Sequence, residues 1–339
     1  MRPVCLRVSV KSPVMGQGAY ILGCQGLRLT EAEKSFFKQA NPWGFILFGR
    51  NVDRPDQLAA LCDELRDCLG WHAPILIDQE GGRVQRLRGP QWRDFNPPLD
   101  DITTKSNPER AMWLRGRLIA DDLAAVGIDV NCAPTLDVAR DITHPFLRNR
   151  CYGFDADTVA KMGRAMADGM AAGGVASVMK HIPGHGRGTA DSHKDLPRVS
   201  ATRSELTEDF APFKDLNTLS MGMSAHIVFE AIDPDLPATQ SPACLDMIRN
   251  EIGFKGLLMT DDISMQALTG TVAQRAQKAL RAGCDLVLHC NGDMAEMETI
   301  AALGRMTDQA QNRADRTAKT RPKAQSIDID ALEAEFYAL

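Results

Sequence analysis

The feature that most constrains the fold of this chain is a repeated alternation of short apolar segments with segments of helical spacing. The apolar segments lie at residues 19–24, 44–48, 74–78, 128–132, 175–179, 220–225, 256–260 and 284–289. Strands that alternate with helices predict a parallel sheet covered by helices. Eight strands are the number that closes a (β/α)8 TIM barrel. We therefore expect this α/β fold, with a doubly wound open sheet as the alternative.

Helix signals agree with this alternation. Thr30 with Glu33, and Thr202 with Glu205, have the spacing of capping boxes. In a capping box each side chain accepts a hydrogen bond from the backbone N–H of the other residue, which satisfies two donors at the start of a helix. Both pairs directly precede segments with helical spacing, so we expect a helix to begin at each of them.

The last 29 residues differ in composition from the rest of the chain. Residues 311–325 are polar and basic and include Pro322, which predicts an extended tail. Residues 330–337 have the composition of a short terminal helix. We therefore predict two parts: the barrel with an N-terminal leader over residues 1–310, and a polar tail with its helix over residues 311–339.

Side chains that can do chemistry are concentrated where the predicted strands end. In a (β/α)8 barrel the carboxyl ends of all eight strands meet at one mouth, and active sites lie there. We therefore expect one site that collects the strand-end residues Asp78, Lys180, His181, His226, Asp261, Asp262 and His289.

The segment after the fifth strand, residues 179–197, is the densest in titratable groups. It contains His181, His185 and His193, with Asp191 two residues before the last of them. Pro183 and three nearby glycines prevent a strand or helix from continuing. A polar loop that follows a rigid strand is typical of an active site. A solvated surface loop with incidental histidines is the alternative.

Composition excludes several classes of function. The net charge of -5 and pI of about 5.8 provide no basic surface for nucleic acid. No run of 18 apolar residues is present, and charged residues interrupt the first 15, so we expect neither a membrane span nor a signal peptide. Nine cysteines without a CxxC pair are typical of a reducing compartment. We predict a cytoplasmic protein, and the sequence leaves its oligomeric state open.

Two kinds of chemistry are considered and ranked low. The histidines and Asp191 are possible metal ligands, but Pro183 prevents the helix that would align His181 with His185, so no metal site is expected. Lys180 at a strand end could form a Schiff base, as in a barrel aldolase, if its pKa were lowered. A salt-bridged lysine is the structural alternative. No cofactor is expected.

The third kind is acid/base chemistry combined with a carboxylate nucleophile. Asp261 at a strand end can act as a fixed nucleophile, and Asp191 can orient the imidazole of His193 so that it protonates a leaving group. The remaining polar groups would then hydrogen-bond a polyhydroxylated ligand. Structural charge pairs are the alternative for Arg86 and Arg150.

Four segments together resemble the motif set of the glycoside hydrolase family 3 β-N-acetylhexosaminidases of the cytoplasmic, peptidoglycan-recycling type. They are Asp-Gln-Glu-Gly-Gly-Arg-Val-Gln-Arg at 78–86, Lys-His-Ile-Pro-Gly-His-Gly at 180–186, Asp-Ser-His at 191–193 and Thr-Asp-Asp-Ile-Ser-Met at 260–265. The order and spacing fit from residue 18 to residue 306. Ile182, Thr260 and Tyr152 are conservative departures from the pattern.

The resemblance implies a (β/α)8 barrel that removes a terminal β-linked N-acetylglucosamine with retention, through a covalent glycosyl-enzyme. The expected substrates are GlcNAc-1,6-anhydro-MurNAc muropeptides. The motifs make Asp261 the nucleophile and His193 the general acid/base, assisted by Asp191. They assign sugar binding to Asp78, Arg86, Arg150, Lys180 and His181.

Several alternatives stay open at this point. A β-glucosidase or a broader exo-β-glycosidase would use the same barrel, and a lysine-dependent aldolase or a non-catalytic sugar-binding protein represents another class. Many family 3 β-glucosidases take their acid from a second large domain, for which 339 residues leave no room. We therefore expect the acid to come from the barrel, and residues 191–193 are the available source.

Overall fold

The computed structural model describes residues 16–189 and 195–339. Ten strands lie in these ranges: β1 (Gly18–Gly23), β2 (Pro42–Leu47), β3 (Ile75–Ile77), β4 (Val130–Asn131), β5 (Ala176–Ile182), β6 (Arg198–Val199), β7 (Met221–Ser224), β8 (Val228–Phe229), β9 (Leu257–Asp262) and β10 (Leu286–His289). Eight of them form a closed barrel in the order β1-β2-β3-β4-β5-β7-β9-β10, with β10 paired to β1. All of its pairs are parallel, and the predicted TIM barrel is confirmed.

The eight barrel strands are the eight apolar segments of the sequence. The two other strands, β6 and β8, pair with each other in a small parallel sheet that lies outside the barrel. They belong to the connections that follow β5 and β7, at the same end of the barrel as the polar loops.

Helices cover the barrel. They are α1 (Glu31–Ala40), α2 (Pro55–Leu69), α3 (Pro98–Thr104), α4 (Pro108–Ala125), α5 (Pro145–Arg148), α6 (Ala156–Ala172), α7 (Arg203–Asp215), α8 (Pro242–Asn250), α9 (Val272–Ala282), α10 (Met294–Ala301), α11 (Asp308–Lys319) and α12 (Ile329–Ala338). Both predicted capping boxes are present, at the starts of α1 and α7. No helix in the described ranges is long and apolar enough to cross a bilayer.

The interior of the barrel is filled with apolar side chains. Neighbouring strands contribute to one buried cluster that includes Ile21, Ile46, Leu76, Val130, Val178, Met221, Met259 and Leu286. Residues that alternate with these, such as Phe45 and Ile75, belong to a larger core between the strands and the helices. Because side chains fill the middle of the barrel, a ligand can enter only at an end.

The expectation of an extended conformation over 311–325 is wrong for its first part, which lies in α11. Ala310, Ala314 and Thr317 form a buried stripe at helical spacing, and Ala314 packs against the interior cluster. These side chains are small, so the stripe is hard to recognise in a polar segment. The terminal helix is confirmed as α12. The division of the chain at residue 310 stays a prediction.

Two ion pairs fix this segment to the end of the barrel where the strands begin. Arg313 Nη1 lies 2.7 Å from Asp285 Oδ1, immediately before β10, and Arg321 Nη1 lies 3.2 Å from Asp129 Oδ2, immediately before β4. This end of the barrel is therefore covered, and the opposite end is the one that holds the cavity described next.

Candidate active site

A cavity of about 300 Å³ lies where the barrel strands end. Its lining includes the predicted nucleophile and all five predicted sugar-binding residues: Asp78, Arg86, Arg150, Lys180, His181 and Asp261. Two aromatic side chains, Phe48 and Phe146, also line it. The structure therefore brings together predicted site residues as far apart in the chain as Asp78 and Asp261, which are separated by 183 positions.

Lys180 lies at the centre of the polar lining. It belongs to β5, which continues three residues beyond the predicted strand, and its side chain is 2% exposed. The ammonium contacts Asp78 Oδ1 at 2.9 Å and Glu80 Oε1 at 2.6 Å. Burial alone would lower the pKa of Lys180, but these two carboxylates outweigh burial and raise it. The amine stays protonated near neutral pH, which argues against a Schiff base.

Asp78 connects Lys180 to Arg86, whose Nη2 lies 3.1 Å from Asp78 Oδ2. Burial alone would raise the pKa of Asp78, but the charges of Lys180 and Arg86 lower it well below its usual range. Asp78 is therefore a carboxylate near neutral pH. Carboxylates accept hydrogen bonds from hydroxyl groups, so this one suits a sugar ligand.

Glu80 is a site residue that the sequence analysis did not single out. It is fully buried, and Nε and Nη2 of Arg150 each lie 2.8 Å from one of its carboxylate oxygens. Burial would raise its pKa, but Arg150 and Lys180 lower it to about 2. Arg150 and Lys180 are thus both in ion pairs, as the structural alternatives for these two residues predict. Both also line the cavity.

The loop of residues 78–86 is held in shape by contacts that do not involve the cavity. The Gln79 amide accepts hydrogen bonds from Arg86 N at 2.8 Å and Leu87 N at 3.0 Å, and donates to Leu87 O at 2.9 Å. Gly81 has a φ of 104°, and a Cβ there would lie 1.8 Å from an Arg115 nitrogen. The glycine is therefore required for Arg115 to pass beneath the loop.

Asp137 is a second residue that the sequence analysis did not assign. It lies after β4, it is fully buried, and its Oδ2 is 2.7 Å from Nδ1 of His181. Its other oxygen accepts a hydrogen bond from the backbone N–H of His185 at 2.6 Å. Burial would raise the pKa of Asp137, but the neighbouring histidines lower it.

The adjacent carboxylates Asp261 and Asp262, at the end of β9, are bonded differently. Asp262 accepts hydrogen bonds from Ser264 N at 3.1 Å, Ser264 Oγ at 2.8 Å and Cys290 N at 3.2 Å, which use both of its oxygens. Asp261 accepts one bond, from Asp262 N at 2.8 Å. Within the described part of the chain, the second oxygen of Asp261 has no donor.

Asp261 is also held in its charged form. Burial would raise its pKa, but the imidazoles of His181 and His226 and the N–H of Asp262 lower it below its usual value. An ionised carboxylate with one oxygen free of hydrogen bonds has the properties that nucleophilic catalysis requires.

Two of the strand-end histidines support the site without lining the cavity. His226 Nε2 donates to the carbonyl oxygen of Asp262 at 3.0 Å, and its Nδ1 lies 2.9 Å from Thr239 Oγ1. His289 Nε2 lies 2.8 Å from Glu296 Oε2. Burial lowers the pKa of His226, so this ring is neutral near pH 7 and fixes the backbone of Asp262.

Asp191 and His193, the predicted acid/base pair, lie outside the described residues, and their roles stay predictions. The chain that leads toward them is anchored at several points. Thr143 Oγ1 donates to Gly186 O, His144 N donates to Gly188 O at 3.2 Å, and Arg187 Nε contacts Asp209 Oδ2 at 2.6 Å. The segment after β5 is therefore fixed to neighbouring elements up to residue 188.

No group of three or more His, Cys, Asp and Glu side chains within 16–189 and 195–339 has an arrangement that could hold a metal ion. The polar cavity contains a charged carboxylate with one oxygen that receives no hydrogen bond from the described residues, surrounded by arginine, lysine and histidine side chains. The fold and the site together define an enzyme of the glycoside-hydrolase class. The charged side chains suit a polyhydroxylated ligand, and the carboxylate can attack a carbon atom of that ligand.

Comparison with known proteins agrees with this class. The model of the glycosyl hydrolase family 3 N terminal domain matches residues 10–320. A beta-hexosaminidase of Alkalilimnicola ehrlichii is 38% identical over 283 residues, 81% of each chain. One of Pseudomonas aeruginosa is 35% identical over 295 residues, 86% of this chain and 87% of that one.

Solved structures give the same result. NagZ from Neisseria gonorrhoeae, crystallised with N-trifluoroacetyl-D-glucosamine, is 32% identical and has a TM-score of 0.83, with 96% of this chain and 97% of that one covered. The chain belongs to glycosyl hydrolase family 3. The resemblance described from the motifs is confirmed at the level of the family, and so is the prediction of a glycoside hydrolase.

Proposed function

We propose that this protein is a retaining exo-β-N-acetylglucosaminidase that acts through a covalent bond to Asp261. The observation that carries the proposal is the contrast between two adjacent carboxylates. Both line the cavity, but Asp262 accepts hydrogen bonds from Ser264 and Cys290 with its two oxygens, whereas one oxygen of Asp261 has no donor among the described residues. Asp261 is therefore the carboxylate that can approach an anomeric carbon.

The proposed reaction has two steps. In the first, an Asp261 oxygen bonds to the anomeric carbon as the bond to the leaving oxygen breaks, and His193 gives its proton to that oxygen. In the second, His193 takes a proton from water, and the water oxygen displaces Asp261 from the same carbon. Two inversions give net retention. Asp191 orients His193 in both steps.

The sugar is bound by the charged residues of the cavity. Asp78 accepts hydrogen bonds from hydroxyl groups, Lys180, Arg86 and Arg150 supply donors, and His181 contributes a ring nitrogen to the lining. Preference for an N-acetyl group at C2 is supported by the relatives named beta-hexosaminidase and by NagZ, which was crystallised with an N-acylated glucosamine. We further propose terminal GlcNAc of 1,6-anhydro-MurNAc muropeptides as the substrate and the cytoplasm as the location, on the resemblance of the motifs.

Covalent trapping tests the central step. Incubation with a 5-fluoro N-acetylglucosaminyl fluoride slows breakdown of the intermediate, and we expect one adduct by intact-mass spectrometry, located on Asp261 by peptide mapping. An adduct on Asp262 would overturn the assignment. An oxazoline product without any adduct would instead indicate catalysis by the acetamide of the substrate.

A panel of 4-nitrophenyl β-glycosides that differ only at C2 tests the specificity. A site that hydrogen-bonds a substrate group rejects analogues that lack this group by several orders of magnitude. We expect kcat/KM for the N-acetylglucosaminide to exceed that for the glucoside by about 10²-fold or more. Equal values would favour the broad β-glycosidase, and no turnover of any member would favour a sugar-binding protein.

A further inference from the structure

Asp137 is hydrogen-bonded to two histidines that line the cavity, His181 and His185. Its Oδ2 lies 2.7 Å from Nδ1 of His181, and its Oδ1 accepts hydrogen bonds from His185 N at 2.6 Å and His181 N at 3.3 Å. The carboxylate is fully buried, and it does not line the cavity, whereas His181 and His185 do. Asp137 can therefore affect a ligand only through these histidines.

The geometry settles which nitrogen of His181 carries a proton. One oxygen of Asp137 accepts hydrogen bonds from two backbone N–H groups, and the other lies 2.7 Å from Nδ1 of His181. A carboxylate can only accept hydrogen bonds, so the proton of this pair lies on Nδ1 of His181. In the neutral ring Nε2 then has a free electron pair and acts as an acceptor.

We propose that Asp137 is a positioning residue that fixes His181 in the Nδ1–H form and so presents Nε2 as a hydrogen-bond acceptor to a sugar hydroxyl. The hydrogen bonds then run in one direction, from the hydroxyl to Nε2 and from Nδ1 to the carboxylate. This inference rests on the proposed function for the identity of the ligand. The state of the ring itself does not depend on it.

Asp137→Asn is the variant that isolates this effect. The amide oxygen of asparagine can replace Oδ1 and still accept from the two backbone N–H groups, so the chain after β5 keeps its anchor. The amide NH₂ replaces Oδ2 and donates to Nδ1, which moves the ring proton to Nε2. The variant therefore reverses one hydrogen bond while it preserves the local backbone contacts.

Histidine nitrogen NMR of the ¹⁵N-labelled full chain reads the ring directly, without substrate. The His181 signals are assigned by their loss in His181→Gln. We expect the proton on Nδ1 in the unmodified protein and on Nε2 in Asp137→Asn. A proton on Nε2 in the unmodified protein would overturn the proposal even if the variant did not fold.

Kinetics of a double-mutant cycle test whether Asp137 acts through His181. Asp137→Asn should lower kcat/KM by about tenfold or more, as expected for one reversed hydrogen bond. In a His181→Ala background it should cost less than about threefold, because the ring is already gone. Asp285→Asn, a buried carboxylate at the opposite end of the barrel, should keep kcat/KM within about threefold.

The outcomes separate the two proposals. If Asp137→Asn and His181→Ala lower kcat/KM additively, or if the ring proton does not move, Asp137 has only a structural role and the inference is wrong. If the glycoside panel gives no turnover while the ring proton behaves as expected, the proposed function fails and the tautomer assignment stands.

Discussion

At the scale of single residues, the site depends on which oxygens are left free. Asp261 and Asp262 have the same chemistry and adjacent positions, and only their partners distinguish them. The carboxylate of Asp262 accepts hydrogen bonds from two backbone N–H groups and one hydroxyl group, so it has a structural role.

This difference predicts opposite results for two conservative substitutions. Asp261→Asn should lower kcat by about 10³-fold or more without lowering the melting temperature, because an amide is not a nucleophile. Asp262→Asn should keep activity within about tenfold. The amide oxygen can still accept hydrogen bonds from the backbone N–H groups of Ser264 and Cys290, and the amide NH₂ can donate to the hydroxyl of Ser264. Assays with a 4-nitrophenyl substrate and thermal unfolding distinguish them. Equal losses of kcat in the two variants would mean that Asp261 is wrongly assigned as the nucleophile.

Glu80→Gln should weaken both binding and stability. The carboxylate neutralises Arg150 and Lys180 in a buried position, and removal of one partner from such a network leaves uncompensated charge. We expect a loss of about 3–5 kcal/mol in the free energy of unfolding, measured in urea, and a higher KM. An unchanged KM would mean that the two cations do not need Glu80 to hold their positions. Glu64→Gln, which removes the carboxylate partner of the exposed Arg28, is the control.

The strand pattern located the site residues that end a strand, the resemblance of the motifs added Arg86 and Arg150, and both routes missed Glu80 and Asp137. Asp78, Lys180 and Asp261 follow from the rule that barrel chemistry lies at strand ends. Glu80 lies three residues beyond the end of β3 and Asp137 six residues beyond the end of β4, and their partners are 70 and 44 residues away in the chain. Glu80 lies within the motif at residues 78–86, so the sequence contained a signal for it. A single sequence contains no sign of the pairing of Asp137 with His181.

At the scale of elements, the connection after β5 carries the proposed acid/base. The sequence predicted a strand that ends at residue 179, but β5 continues to Ile182 because Lys180 and His181 find partners in the buried site. Polar residues that follow an apolar run predict the start of a loop. Charged groups satisfied by buried partners can equally belong to a strand, and that distinction requires the tertiary structure.

His193→Ala tests this connection through the leaving group. A dinitrophenolate leaves without protonation, so the first step on a dinitrophenyl glycoside should stay fast, while the first step on a disaccharide should be lost. The intermediate should accumulate, and azide, which needs no deprotonation, should restore turnover and yield a β-glycosyl azide. Asp191→Ala should have a weaker form of the same effects.

The contrary result for this variant is also defined. Equal losses on good and poor leaving groups, with no effect of azide, would mean that His193 binds substrate or shapes the connection. The acid/base would then have to be sought elsewhere in the chain.

At the scale of the whole molecule, the number and order of strands were predictable and the covering of the barrel end by α11 was not. Eight apolar segments leave few parallel arrangements, and closure is the simplest of them. The packing of α11 depends on three small side chains and on Arg313, which finds Asp285 only in the folded barrel.

The buried His185 should make the stability of the whole protein sensitive to mild acid. Burial lowers the pKa of His185 to about 4, compared with about 6.5 for an unperturbed histidine. Between these values the unfolded chain binds a proton that the folded protein does not, so stability is lost as the pH falls from about 6.5 to about 4. The slope attributable to this group is at most about 1.4 kcal/mol per pH unit.

Urea unfolding at pH 7, 6 and 5 measures this contribution by comparison with His185→Gln, which has no titrating ring. The free energy of unfolding of the unmodified protein should fall more steeply with acid than that of the variant. Parallel curves would show that the His185 imidazole is already accessible to protons in the folded state. His72→Gln, which removes a half-exposed histidine, is the matched control.

Because both oxygens of Asp262 are hydrogen-bonded, covalent labelling can be used to measure the concentration of active enzyme. A mechanism-based reagent meets two adjacent carboxylates in the cavity, and among the described residues only Asp261 keeps an oxygen without a hydrogen-bond donor. Labelling should therefore stop at one reagent per chain, even with a large excess. The burst of fluoride released on mixing would then report the molar concentration of competent enzyme in any preparation.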